Sequence, residues 1–174
     1  MSALVVWRFA GLRDAEQILP RLESLARSGE IRVEDAALVT WRKGHRKPAT
    51  RVLGGLTGPG TLWGGFWGML LGLVFLAPIA GPTFGAAAGA VAGSLREFGV
   101  EDDFVKRVRD MVTPGSSAIF VIGDSRSVER IAVALEPMPV EMIRSDLSAV
   151  QEQRLREALG DETVLGLGSS GDPG

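Results

Sequence analysis

A few short stretches of this 174-residue chain have residue types and spacings that could do chemistry. GLTGPGT, residues 55–61, has the glycine spacing of a phosphate-cradling loop between a predicted strand and a predicted helix start. It has Thr61-Leu62 where such a loop needs lysine followed by serine or threonine, so it reads as a hinge. GDS at Gly123–Ser125 follows a strand, as a hydrolase nucleophile would. No histidine lies downstream to take the serine proton, and Asp124, Ser125 and Ser127 suit helix capping better. Glu101, Asp102 and Asp103 could hold a divalent cation, but three acids at a helix start are explained by the helix dipole. With one histidine, His45, and no cysteine, thiolate and imidazole metal sites are excluded or poorly supplied, and the cysteine count suits a reducing compartment. No catalytic residue, metal or cofactor, and no small-molecule substrate, is expected. A net charge of −2 gives no general attraction to nucleic acid.

Two features remain. The segment WRKGHRKPATR carries Arg42, Lys43, Arg46, Lys47 and Arg51 beside His45, and suits contact with anionic lipid. The second is the run GGFWGMLLGLVFLAPIAGPTFGAAAGAVAG, part of an uncharged stretch over residues 52–95 bounded by Arg51 and Arg96. Gly64, Gly68 and Gly72 recur every four residues on its first arm; Gly81, Gly85, Gly89 and Gly93 do the same on its second. That spacing places each set along one stripe of a helix. Each interior glycine costs a helix about 1 kcal/mol relative to alanine. Close backbone packing is the compensation: small residues let helices touch where lipid supplies no hydrophobic drive. Pro78 and Pro82 flank Gly81 and predict a tight turn between arms. Arms of roughly 16–18 residues are about 25 Å long, slightly short of a ~30 Å hydrocarbon core. Trp63, Phe66 and Trp67 stand where an aromatic membrane belt would lie. The second arm, mostly alanine and glycine, is a poor lipid-facing surface.

The elements that must position these features follow from pattern. Strands are predicted over residues 3–9, 36–41, 49–53, 117–123 and 140–144. Helices are predicted from residue 14 to Gly29, over 100–112 with Phe104, Val105, Val108 and Met111 on one face, over 127–135, and from Ser148 to Gly160. Asp14 with Gln17, and Ser148 with Gln151, have capping-box spacing. Strand–helix–strand therefore occurs twice, over 3–41 and 117–144. The expected fold is α+β: a ferredoxin-like sandwich, an antiparallel sheet with helices on one face. Its halves, 1–53 and 100–160, would form one discontinuous domain; 54–99 would leave it as a glycine-zipper helical hairpin, and 161–174 would be a flexible tail.

The phrases IRVEDAALV, LTGPGTLWGGFWGMLLGLVFLAPIAG, FGVEDDFVKRV, PGSSAIFVI and DLSAVQEQRLREAL occur in that order over about residues 3–160. In them the chain resembles a bacterial family of predicted membrane proteins of unknown function, the domain of unknown function 1269. The resemblance brings no catalytic residues, and the basic turn KGHRK is not part of its pattern. The expectation is a non-enzymatic protein that homo-oligomerises through the seven stripe glycines and is inserted in or bound to the bacterial inner membrane. Trp63, Phe66, Trp67 and the five cations would sit at the interface. The short N-terminal apolar run lacks the basic flank of a signal peptide, so both termini are expected in the cytoplasm. The alternatives are a soluble closed ring or shell with hairpins buried between subunits, and a small-ligand or metal sensor.

Overall fold

The computed structural model describes residues 2–56, 64–81, 85–148, 150, 151, 153, 154 and 157. The chain is α+β. Five strands, β1 (Ser2–Phe9), β2 (Val33–Thr40), β3 (Ala49–Gly54), β4 (Ser117–Asp124) and β5 (Val140–Asp146), form one sheet in the order β3-β2-β4-β1-β5. Every neighbouring pair is antiparallel. Helix α1 (Asp14–Arg27) links β1 to β2, and α6 (Ser125–Leu135) links β4 to β5. Between β3 and β4 lie α2 (Gly64–Leu71), a π-helical turn (Gly72–Leu76), α3 (Ala77–Ala80), α4 (Gly85–Glu97) and α5 (Asp102–Met111). We call 64–80 the first arm and α4 the second.

The expectation of helices on one face is corrected by the packing. Side chains alternate along a strand, so odd and even residues of β1 enter different layers. Val5, Trp7 and Phe9 pack with Leu22 of α1 and Ile131 of α6. Leu4 and Val6 face the other way and pack with Phe66, Trp67 and Leu70 of the first arm and Val105 of α5. Phe120 of β4 joins this second cluster, meeting the Trp67 ring edge-on at 6.2 Å. Helices thus cover both faces. The segment read from sequence as a separate hairpin, residues 54–99, divides between two environments. Its first arm buries Phe66, Trp67, Leu70, Leu71, Val74 and Phe75 in the core shared with the sheet. Its second arm buries Leu95 alone.

Local signals account for the ends. Asp14 and Gln17 do not make the expected box: Asp14 lies inside α1 and its carboxylate accepts from the Gly11 N–H at 3.0 Å. Instead the Ser117 hydroxyl of β4 accepts from the Ala15 N–H and donates to the Gly11 carbonyl, tying the helix start to the sheet. The reciprocal box does form between Ser148 and Gln151, at 2.9 and 3.1 Å. The first arm runs through Pro78 and ends at Gly81, whose φ of +66° is left-handed. Pro82 lies outside the described residues.

If the first arm is a layer of the core, Leu70→Ala should destabilise the whole fold by roughly 2–5 kcal/mol, the cost of truncating a fully buried leucine. Urea denaturation followed by far-ultraviolet circular dichroism reads this. An unchanged midpoint would make the arm an appendage.

Candidate functional site

Two surfaces stand out, the outward faces of the arms and the basic turn beside them. On the first arm the bulky side chains face the sheet. A Cβ built on Gly68 or Gly72 meets nothing within 4 Å, and the same holds at Gly81, Gly85, Gly89 and Gly93. These six glycines therefore make no close helix–helix contact among the described residues. Gly64 begins α2. The arms instead enclose a groove of about 340 Å³, walled by Met69 and Leu73 on one side and Ala88 and Val91 on the other. Leu76 and Ile79, near the end of the first arm, are 47% and 44% exposed.

The π turn has a definable cause. The Ala77 N–H reaches back to the Gly72 carbonyl rather than to Leu73. The next nitrogen, Pro78, has no hydrogen to give. Neither Leu73 nor Val74 then has its ordinary i+4 helical donor. Arg109 of α5 supplies it: Nη2 donates to the Leu73 carbonyl at 2.8 Å and Nε to the Val74 carbonyl at 3.0 Å. This residue escaped the sequence reading. The available signals were a proline following an uncharged helix, and an arginine beside the apolar face of α5.

The aromatic residues expected at a membrane interface are placed otherwise. Phe66 and Trp67 are 1% and 0% exposed, inside the core, and not on an outer belt. They form an edge-on pair at 5.4 Å. Trp63 lies outside the described residues. The basic residues Arg42, Lys43, Arg46, Lys47 and Arg51 are all exposed. Trp41 fixes this turn to the first arm: its Nε1 donates to the His45 carbonyl at 2.9 Å and its ring meets Phe75 edge-on at 5.7 Å. Lys47 and Pro48 then wall a second cavity, about 310 Å³, between β3 and the first arm.

The remaining chemical candidates have structural partners. Asp124 caps α6, accepting from the Ser127 N–H at 2.9 Å and the Ser127 hydroxyl at 3.0 Å. Ser125 accepts from Arg144. Asp102 and Asp103 occupy the first turn of α5, with Asp102 3.5 Å from Arg96. Most of the 55–61 loop lies outside the described residues.

The chain belongs to the family described as protein of unknown function, DUF1269, whose model matches residues 61–160. No curated protein and no solved structure matches it significantly.

Arg109→Met should cost roughly 1–3 kcal/mol, because two carbonyls lose a charged donor while the stem volume is kept. Thermal unfolding measures this, and backbone amide exchange in 72–80 should rise with it. Asp124 has a pH signature. Burial pushes its carboxyl up, but the Ser127 N–H and hydroxyl and the Arg126 N–H outweigh it and hold the pKa below the ordinary 3.8. The carboxylate thus stabilises the fold at pH above that ordinary value, and the effect is lost as pH falls through the lowered one. Asp124→Ala should lose about 1 kcal/mol near neutrality and converge on wild type in acid; a difference constant with pH would remove the carboxylate from the explanation.

Proposed function

We propose that this DUF1269 protein is a non-enzymatic component that assembles with copies of itself through its glycine-lined arms. The observation that carries the reading is the second arm. Helix α4, GAAAGAVAGSLRE, is uncharged until Arg96, buries one side chain, and keeps Gly85 and Gly89 exposed. A helix of this length is marginal alone in water, and each glycine weakens it further. One exposed ion pair at its end, Arg96 with Asp102, and the single buried Leu95 offset little of that. A surface that packs closely on this bare backbone would offset it, and an identical arm from a second copy presents the same small residues.

The finer fold reading belongs to the same proposal. The order β2-β4-β1-β5 with two β–α–β units supports a ferredoxin-like sandwich; β3 and the second helical layer are then additions to it. Attachment to the inner membrane is a second reading, favoured by exposed Leu76 and Ile79 at the end of an uncharged arm. No helix among the described residues is long and apolar enough to cross a membrane, so this contact would be a partial insertion. The carbonyl-capping role of Arg109 supports the same geometry by holding the arm against α5.

Light scattering coupled to size exclusion tests the proposal. Wild type should elute at a discrete multiple of the chain mass, and the pair Gly68→Leu with Gly85→Leu should elute as monomer with unchanged circular dichroism. Because the added Cβ meets nothing among the described residues, Gly89→Ala, inside α4, should leave the monomer fold intact and firm the helix by about 0.5–1 kcal/mol. A leucine pair that assembles like wild type would reject the glycine faces as the contact. Recovery from cells only in detergent, with carbonate-resistant pelleting, would favour the membrane reading.

A further inference from the structure

We propose that the cavity between β3 and the first arm binds one long-chain fatty acid, with the carboxylate at Lys47 and the chain laid over Gly68 and Gly72 into the groove between the arms. The site borders the face invoked for self-association at Gly68 and Gly72 but is lined mainly by other residues. Its volume, about 310 Å³, and that of the adjoining groove, about 340 Å³, each lie at the small end of the roughly 300–1,000 Å³ range of small-molecule sites.

The chemistry of the walls selects the ligand. Val52 lines one side; Trp67, Leu71 and Phe75 line the other. One ionisable group lines the cavity, the Lys47 ammonium, which forms no ion pair among the described residues. Its sequence neighbours Arg42, Lys43, Arg46 and Arg51 add positive charge, and no Asp or Glu occurs between Asp35 and Glu97. An apolar cavity with a cationic lip complements an anionic head on an apolar tail. Thr50 and the indole of Trp67 also line this cavity, the Trp67 Nε1 being shut off from solvent. The Lys47 ammonium is the charged donor, and a carboxylate supplies the acceptor oxygens.

Gly68, Gly72 and Leu76 wall both hollows. With no Cβ at the two glycines, an alkyl chain can pass from one to the other across bare backbone. This makes use of two glycines that nothing among the described residues fills. The Trp41–Phe75 contact and the Trp41 hydrogen bond to His45 hold the cationic turn at the mouth.

Titration calorimetry with palmitate below its micelle concentration tests this on the full chain, with methyl palmitate as the uncharged probe. The expected result is one palmitate per chain, with binding of the ester weaker by roughly tenfold. Lys47→Glu should weaken palmitate by a similar roughly tenfold factor, and Val52→Trp, which fills the cavity from the exposed edge strand, should abolish it. Intrinsic tryptophan emission should change on binding in wild type and not in Val52→Trp. Both variants should keep wild-type circular dichroism and the wild-type assembly state, which separates this proposal from self-association. No heat with palmitate, or binding untouched by both substitutions, would overturn it. So would pelleting with phosphatidylglycerol vesicles that Val52→Trp leaves undiminished in the absence of palmitate binding, which would assign the basic surface to a bilayer.

Discussion

The central strands are apolar on both faces, and the rest of the molecule is arranged around that constraint. Leu4, Val6, Phe120 and Ile122 face one layer while Val5, Trp7, Ile119 and Val121 face the other. Exposing a side chain of this size to water costs about 1.5–3 kcal/mol. A fold stable by about 5–15 kcal/mol cannot leave several uncovered. Helices α1 and α6 cover one face and can do no more, because each simply connects the strands on either side of it. The second cover must come from the segment between β3 and β4. That segment is the glycine-rich run, so its first arm is committed to the sheet before any question of membrane or partner arises.

This commitment is legible in the strands themselves. A strand with one wet face alternates apolar and polar residues; ALVVW in β1 and AIFVI in β4 do not alternate. Read strictly, those runs demand two helical layers. Absence of charge, glycine spacing and aromatic residues near the arm start instead drew attention to lipid. Each of those signals has a second physical meaning. An uncharged helix suits a protein core as well as a bilayer, and Phe66 with Trp67 fills the space over Phe120 as readily as it would sit at a headgroup. Elements with a single physical meaning were read well. The amphipathic face of α5, the caps at Asp124 and Ser148, and all five strands lie within a few residues of where pattern places them.

What the sequence concealed was long-range hydrogen bonding. Pro78 announces a loss of helical donors but not its remedy. The remedy is Arg109, more than thirty residues away, reaching two carbonyls at the π turn. The box at Asp14 failed for a similar reason. Ser117 on β4 serves the same helix start, and a tertiary donor and acceptor displaced the local one. In both places a backbone group had to be satisfied, and sequence spacing could not say which distant side chain would do it.

The first arm then carries two opposed requirements on one helix. Toward the sheet it is bulky and fixed; away from the sheet it is stripped to backbone at Gly68 and Gly72. Alanine at either position would meet no atom of the described residues and would favour the helix. The chain therefore forgoes stability that its own fold would allow. Close approach between the described helices does not explain this, because none occurs at these glycines. The explanation proposed is external, a surface or a ligand that needs the space a methyl group would take. The two uses proposed for these glycines draw on that same vacancy. Since Gly68 and Gly72 border both the open face and the acyl path, occupancy of one bears directly on the shape offered to the other.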